Sequence, residues 1–301
     1  MNTFTVGTAR ETSDSNAPDV VAETLGAAPQ LQKDKFPLSR VFAPLVLLAI
    51  FIGGWYLMHS WGLRYFFDKD GGRLIPTPVK IWHDTIIRPI ARGRYIEGLK
   101  WTSITAFGGL AVTIVIGVSL AIIMSQARWV ESAIYPYLVA LQAIPVLAVV
   151  PIIYAIFGGG LAPRFFVVIM ISFFPIVTNT LFGLNSADPG QHDLFTLRGA
   201  SRWTRLIKLQ LPAAMPAIFT GFRISAGLSV IGAVVGEQFF RTGSKPGVGI
   251  VMDLYRTKGN YPPLWGGIII ACLLGIITFL AFGLLSKLVV GHWYEASQRK
   301  K

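Results

Sequence analysis

Cysteine occurs once in 301 residues. That single thiol, Cys272, excludes a disulfide framework and a cysteine-built metal site. Its place inside a long apolar run suits a small packing residue. Charge is also scarce: Asp, Glu, Lys and Arg make up 14% of the chain, against about 25% in soluble domains. The histidines, His59, His83, His192 and His292, lie apart in loops and at run ends, and no pair has a metal-ligand spacing. No G-x-x-x-x-G-K-[ST] phosphate loop is present, so the chain carries no ATP-hydrolysing site of that kind. A Ser/His/Asp constellation and a nucleophile elbow are missing too, which argues against an enzyme. No internal repeat stands out, which weakens an inverted-repeat carrier. An ion-coupled carrier also needs carboxylates within its spans. Only Glu131 and Glu237 come near, both at span edges.

What the chain has is apolar length. Apolar residues make up 53% of it, clustered in uncharged runs near the ~20 residues that a helix needs to cross a bilayer. Six runs are expected to span, at about 41–60, 101–124, 132–157, 165–184, 214–236 and 266–290. The fold class is therefore an all-α membrane protein, one six-helix bundle embedded in a lipid bilayer. Residues 1–36 are polar, with almost no aromatics, and are expected to form a disordered tail. They hold no basic segment next to an apolar core, so no cleavable signal is expected. Residues 293–301 read as a basic C-terminal tail. Between the first two runs, Thr77 and Pro78 form a helix start, a capping hydroxyl followed by a proline suited to the first turn. Prolines 136, 145, 151 and 175 imply kinks or freed carbonyls inside the third and fourth spans. Gly158 to Gly160 reads as a turn.

The net charge of +12 would suggest nucleic acid in a soluble protein. Here the cations lie in loops and tails, where lipid headgroups explain them better, and no nucleic-acid partner is expected. Lys and Arg divide 13 to 13 between the two sides, with Arg223 left over from 27. The positive-inside rule therefore does not choose an orientation.

The stretch that sets this chain apart from a simple bundle is Asp193 to Pro212, DLFTLRGASRWTRLIKLQLP. Arg198, Arg202, Arg205 and Lys208 follow at spacings of four, three and three, one stripe on a helix. Leu197, Ala200, Trp203, Leu206, Ile207 and Leu211 form an apolar ridge beside it, and Pro212 is expected to end the helix. Such a helix is either a docking surface or an interfacial helix with its cations on anionic headgroups.

This stretch resembles the cytoplasmic loop E-A-A-x3-G-x9-I-x-L-P of permease subunits of bacterial ABC importers. Asp193 stands for the Glu, Leu194 and Phe195 for the two Ala, Gly199 for the Gly, Leu209 for the Ile, and Leu211 and Pro212 close it. The runs IPTPVKIW, AIPVLAVVPIIYAIFGGG, PAAMPAIFTGFRISAG and GVGIVMDLYR resemble the branch that imports nitrate, bicarbonate, taurine and other sulfonates. The likeness covers roughly residues 41–290.

The resemblance implies a type I importer permease bundle in the bacterial cytoplasmic (inner) membrane, with both termini cytoplasmic. It implies a second permease copy, two ABC ATPase subunits carrying ATP and Mg, and an extracytoplasmic solute-binding protein. The coupling helix would dock on the ATPase through Asp193, Gly199, Ala200, Arg202, Trp203, Leu206, Leu209, Leu211 and Pro212. Gly199 would permit a sharp change of direction, and Asp193 would lie near a helix start. The expected cargo is a small oxyanion or sulfonate, with a pyrimidine or vitamin precursor as the alternative. An ion-coupled carrier is the runner-up from another class.

Three further residues are candidates for the pathway or a gate. Arg223 would neutralise an anionic substrate, snorkel to the interface, or pair with another subunit. Glu237 would form a gate or an inter-subunit contact. Asn179, like Thr180, reads first as interhelical glue. The small residues of the fifth run, Gly232 and Gly236 among them, suit close helix packing, with an interface across the pore as a refinement.

Overall fold

A computed structural model of the chain describes residues 39–62, 74–241 and 245–298. The expected N-terminal tail lies outside them. Every element described is helical, as a bilayer demands of backbone that must satisfy its hydrogen bonds internally. The chain forms two units, residues 1–55 and 56–301. Of the first, residues 39–55 are described, all within helix α1, Ser39–Leu57; the π turn Met58–Gly62 belongs to the second. The side chains described in α1 are largely exposed, as suits a lipid-facing span.

In the second unit, Thr77 caps α2, Pro78–Trp82, by accepting from the Lys80 amide at 3.4 Å. A π turn, His83–Ile87, follows, and Arg88 is extended before Pro89, as residues before proline prefer. There α3 begins, Pro89–Ser125, a dozen residues earlier than the run of apolar residues suggests. Its first turns stand on the buried cluster of Ala91, Tyr95, Val248, Val251, Met252 and Tyr255. A polar segment becomes helix because it covers a core.

The expected single span at 132–157 is two helices, α4 (Arg128–Ala143) and α5 (Val146–Phe157), bent by 97°. The cause is Pro145, which holds Ile144 extended at φ −68°, ψ 120°. Pro136 and Pro151 stay inside their helices. Among the described residues, five helices are long and apolar enough to span, or six if the bent pair counts as one. The turn at Gly158 and Gly160, both at positive φ, leads into α6, Leu161–Leu184.

After α6 come α7, Pro189–Leu197, and α8, Arg202–Arg205. A π turn, Leu206–Gln210, joins α8 to α9, Leu211–Phe239. Then come α10, Val248–Thr257, and α11, Tyr261–Gln298. Residues 293–298 therefore continue a helix and are no separate tail.

Helices α3, α6 and α9 make the centre. A Cβ on Gly232 would sit 2.9 Å from the Val168 Cα, and one on Gly236 3.1 Å from the Arg164 Cα. The small face of α9 is thus spent on α6 of the same chain, and these two glycines form no contact for a second copy. The Ser225 hydroxyl donates to Ser172 O at 2.8 Å, and Ser172 donates to Thr113 Oγ1 at 3.2 Å, linking all three helices. Thr180, expected to join in, is buried with its hydroxyl unpartnered.

Candidate functional site

The connection from α6 to α9 is a helix–turn–helix rather than one helix. Asp188 caps α7, accepting from the Gly190 amide at 2.7 Å. Asp193 consequently sits in mid-helix, exposed, and the helix start expected of it belongs to Asp188. Helix α7 ends at Gly199, φ 67°. The Gly199 amide donates to Thr196 O at 2.9 Å and the Ala200 amide to Phe195 O at 3.0 Å, the paired bonds of a Schellman cap with glycine at its left-handed position. Ser201 then caps α8, accepting from the Thr204 amide at 3.2 Å.

The turn breaks the expected cation stripe. Arg198 lies at the end of α7, whereas Arg202, Arg205 and Lys208 lie beyond the turn. Arg205 ties the two limbs together, donating from Nη2 to Thr196 Oγ1 at 3.1 Å.

The apolar ridge divides as well. Leu206 and Leu209 are buried, Leu206 against Leu184, Ala214 and Ile218, so they hold the loop to the bundle and offer nothing to a partner. Trp203 is 70% exposed and Leu197 86%. Leu211 and Pro212 are half-buried in the first turn of α9. Pro212 does not end the helix, because it follows directly on the π turn Leu206–Gln210, where the α-helical bonding that a proline breaks is already interrupted. Arg202 to Phe239 is one continuous helical stretch, about 57 Å long by helical rise.

At the far end of that stretch Glu237 is fully buried. Its Oε2 accepts from Thr102 Oγ1 and from the Gly249 amide, both at 2.9 Å, and Thr102 Oγ1 accepts from the Val248 amide at 2.8 Å. Gly247 lies so close that a Cβ there would overlap the carboxylate. Arg164, in the first turn of α6, is fully buried. It donates from Nε and Nη2 to Phe240 O, at 3.0 and 2.8 Å, and from Nη1 to Lys245 O at 3.1 Å. Asp253 pairs with Arg241 and, at 2.6 Å, with Arg256. Glu237 therefore fastens the α9–α10 connection within the chain. Burial leaves it no surface for the inter-subunit contact or gate expected of it.

The three pathway candidates do not meet. Arg223 lies over the ring of Phe279 on α11, 4.1 Å from its centroid, with its Nε buried and unpartnered. Beside it α9 and α11 form an apolar groove of about 850 Å³. Asn179 instead faces Gly221 on α9, its Nδ2 donating to Pro175 O at 2.8 Å. It lines an open cavity of about 480 Å³ between α4 and α6, in which Glu131, Tyr135, Thr178 and Asn185 alternate with the apolar Leu181 and Phe182. Sequence reading passed over Asp188, Ser201, Arg164 and Thr102. The first two carried a signal, a capping residue before a helical run, whereas the last two look ordinary until the fold joins them. No cluster of three metal-ligating side chains occurs among the described residues.

A family model described as "Binding-protein-dependent transport system inner membrane component" matches residues 113–291, more than half of the chain. The formylaminopyrimidine transport permease protein ThiX of Halalkalibacterium halodurans is 35% identical over 72% of this chain and 85% of its own. The riboflavin transport system permease protein RibX of Chloroflexus aurantiacus is 34% identical over 89% and 94%. Nitrate, bicarbonate and putative sulfonate permeases match at 27 to 29%. Among solved structures, one titled as an amino acid ABC transporter with histidines superposes with a TM-score of 0.53 at 18% identity, covering 69% of this chain and 98% of that one, a likeness of fold. The expected branch is among the relatives. With the family model over most of its bundle and relatives such as these above 30% identity, the chain belongs to the binding-protein-dependent transport system inner membrane components, the permease subunits of ABC importers.

Proposed function

We propose that the α7–α8 loop is the lever through which separate ATPase subunits move this permease. The observation that carries the reading is the continuity of Arg202 to Phe239. A displacement at the exposed Trp203 passes along one helix to the Glu237 network at the opposite end. Alternating access then follows from a difference in ATPase affinity between two states. The loop faces the cytoplasm, both termini lie there, and two permease copies enclose the pathway. A binding protein delivers substrate at the α9–α10 end.

The substrate is a nitrogen heterocycle of the pyrimidine or vitamin class. ThiX and RibX, two of the relatives above 30% identity, support this order over the oxyanions and sulfonates that the loop resemblance alone favours. The unpromising setting of Arg223, stacked on Phe279 and away from the cavity that Asn179 lines, supports it too.

The test is purification of the tagged chain in mild detergent with quantification of ATPase bound to it, beside uptake measured with ATP depleted and the ion gradient held. Equal amounts of ATPase and loss of uptake on ATP depletion are expected. Uptake that survives ATP depletion would return the ion-coupled carrier.

A further inference from the structure

We infer that the cavity between α4 and α6 is a substrate-holding site, and that it selects for neutral or cationic heterocycles bearing N–H donors. This rests on the substrate class proposed above and assigns it a place.

Glu131 and Tyr135 lie one turn apart on α4, and Thr178, Asn179 and Phe182 recur on one face of α6 with Asn185 at its end. Acceptors outnumber donors, the donors being one remaining N–H on each of Asn179 and Asn185 and the Tyr135 hydroxyl. Thr178 spends its proton on Phe174 O at 2.8 Å, leaving its lone pairs to the cavity. Asn179 spends an N–H on Pro175 O, and its Oδ1 accepts from no group among the described residues. Glu131 receives only a long bond from Asn185 Nδ2, 3.4 Å to Oε2. Glu131 also lies in the first turn of α4, where the backbone dipole favours a carboxylate.

An acceptor-rich wall with one negative charge repels nitrate, bicarbonate or a sulfonate. It matches an amino-substituted ring that donates from its exocyclic nitrogen, while Tyr135 and Phe182 offer faces to stack on. At about 480 Å³ the space is within the range of small-molecule sites. Such a wall is also costly against lipid, so this face belongs to a wet pathway. Asn185 ends α6 and Asp188 caps α7 three residues later. A shift of the docking loop therefore acts first on the Asn185–Glu131 bond, which places the site on the ATPase side of the route.

The test uses the permease–ATPase complex in nanodiscs, titrated calorimetrically with 4-amino-2-methylpyrimidine up to about 10 mM, beyond the weak end of specific binding. Saturable binding is expected, weakened at least about tenfold by Glu131→Gln and by Asn179→Ala, since each removes an acceptor worth about a factor of ten. Nitrate and taurine should not compete. Co-purification of the ATPase with each variant reports folding. Should Glu131→Gln fail to assemble, Asn179→Ala, whose side chain bonds only within α6, carries the test. Binding that neither variant changes would overturn the site and leave the substrate class standing. Competition by nitrate or taurine, or no binding by an assembled wild-type complex, would overturn the class together with the site.

Discussion

The two ends of the Arg202–Phe239 helix solve opposite problems. At the α8 end the backbone is satisfied locally, by Asp188, Gly199 and Ser201 within a few residues, and Trp203 and Leu197 remain exposed. At the Glu237 end the bonds reach far along the sequence, from Glu237 to Thr102 and from Arg164 to Phe240 and Lys245, and the charges are buried. A surface meant for a partner needs an autonomous shape. A fixed point needs connections to the rest of the molecule. The contrast predicts that substitutions at the first end spare the chain and damage assembly, whereas substitutions at the second damage the chain itself.

The largest effect belongs to Glu237→Ala. It orphans the buried Thr102 hydroxyl and Gly249 amide and leaves a cavity, a loss of about 3 kcal/mol or more. The thermal midpoint of the detergent-solubilised chain should fall sharply, and protease should cut the 241–247 connection sooner. A midpoint equal to wild type would mean that the network fastens nothing. Next comes Trp203→Ala. Most of this side chain touches no part of its own chain, so the midpoint should hold while ATPase affinity drops by about 2 kcal/mol, the size of an aromatic anchor. Equal affinity would remove Trp203 from the docking surface.

Gly199 gives a finer cut. A Cβ there meets nothing within 4 Å in this chain, so within the chain Gly199→Ala costs only the left-handed backbone, about 1–2 kcal/mol. Gly199→Asn relieves much of that strain, because asparagine tolerates the conformation. If Asn restores ATPase co-purification, the glycine serves the turn. If Asn is as poor as Ala, the partner itself fills the space above it.

These predictions separate what the sequence could tell from what it could not. Apolar run lengths locate helices because the bilayer fixes how long they must be. Thr77–Pro78 and the glycine at 199 are local signals, and local signals survive without a fold. The cation stripe failed because spacing was counted straight through a turn that Gly199 itself creates. Leu206 and Trp203 look alike in the sequence, and only the packing of Leu184 and Ile218 makes one a core residue. Glu237 and Arg164 are the extreme case: their partners lie up to 135 residues away, and no spacing rule spans that. The Pro145 break was half legible. Four prolines signalled kinks, but which of them would end a helix depends on whether the extended residue before it has somewhere to go.

The smallest expected effect tests the idea that the docking loop is a single rigid piece. Arg205 is the only side chain among the described residues that bonds directly across the turn, from α8 to Thr196 on α7. Losing that bond costs about 1 kcal/mol, too little to shift the midpoint of the whole chain by much, and Arg205→Ala leaves both caps in place. If the two limbs act as one lever, loosening them should uncouple hydrolysis from uptake. ATPase should still co-purify, through Trp203, while solute moved per ATP falls. Thr196→Val should do the same, and the double variant should add little, since both remove one bond. Unchanged coupling in all three would mean that α8 and its continuation through α9 carry the motion alone, with α7 as a passive spacer.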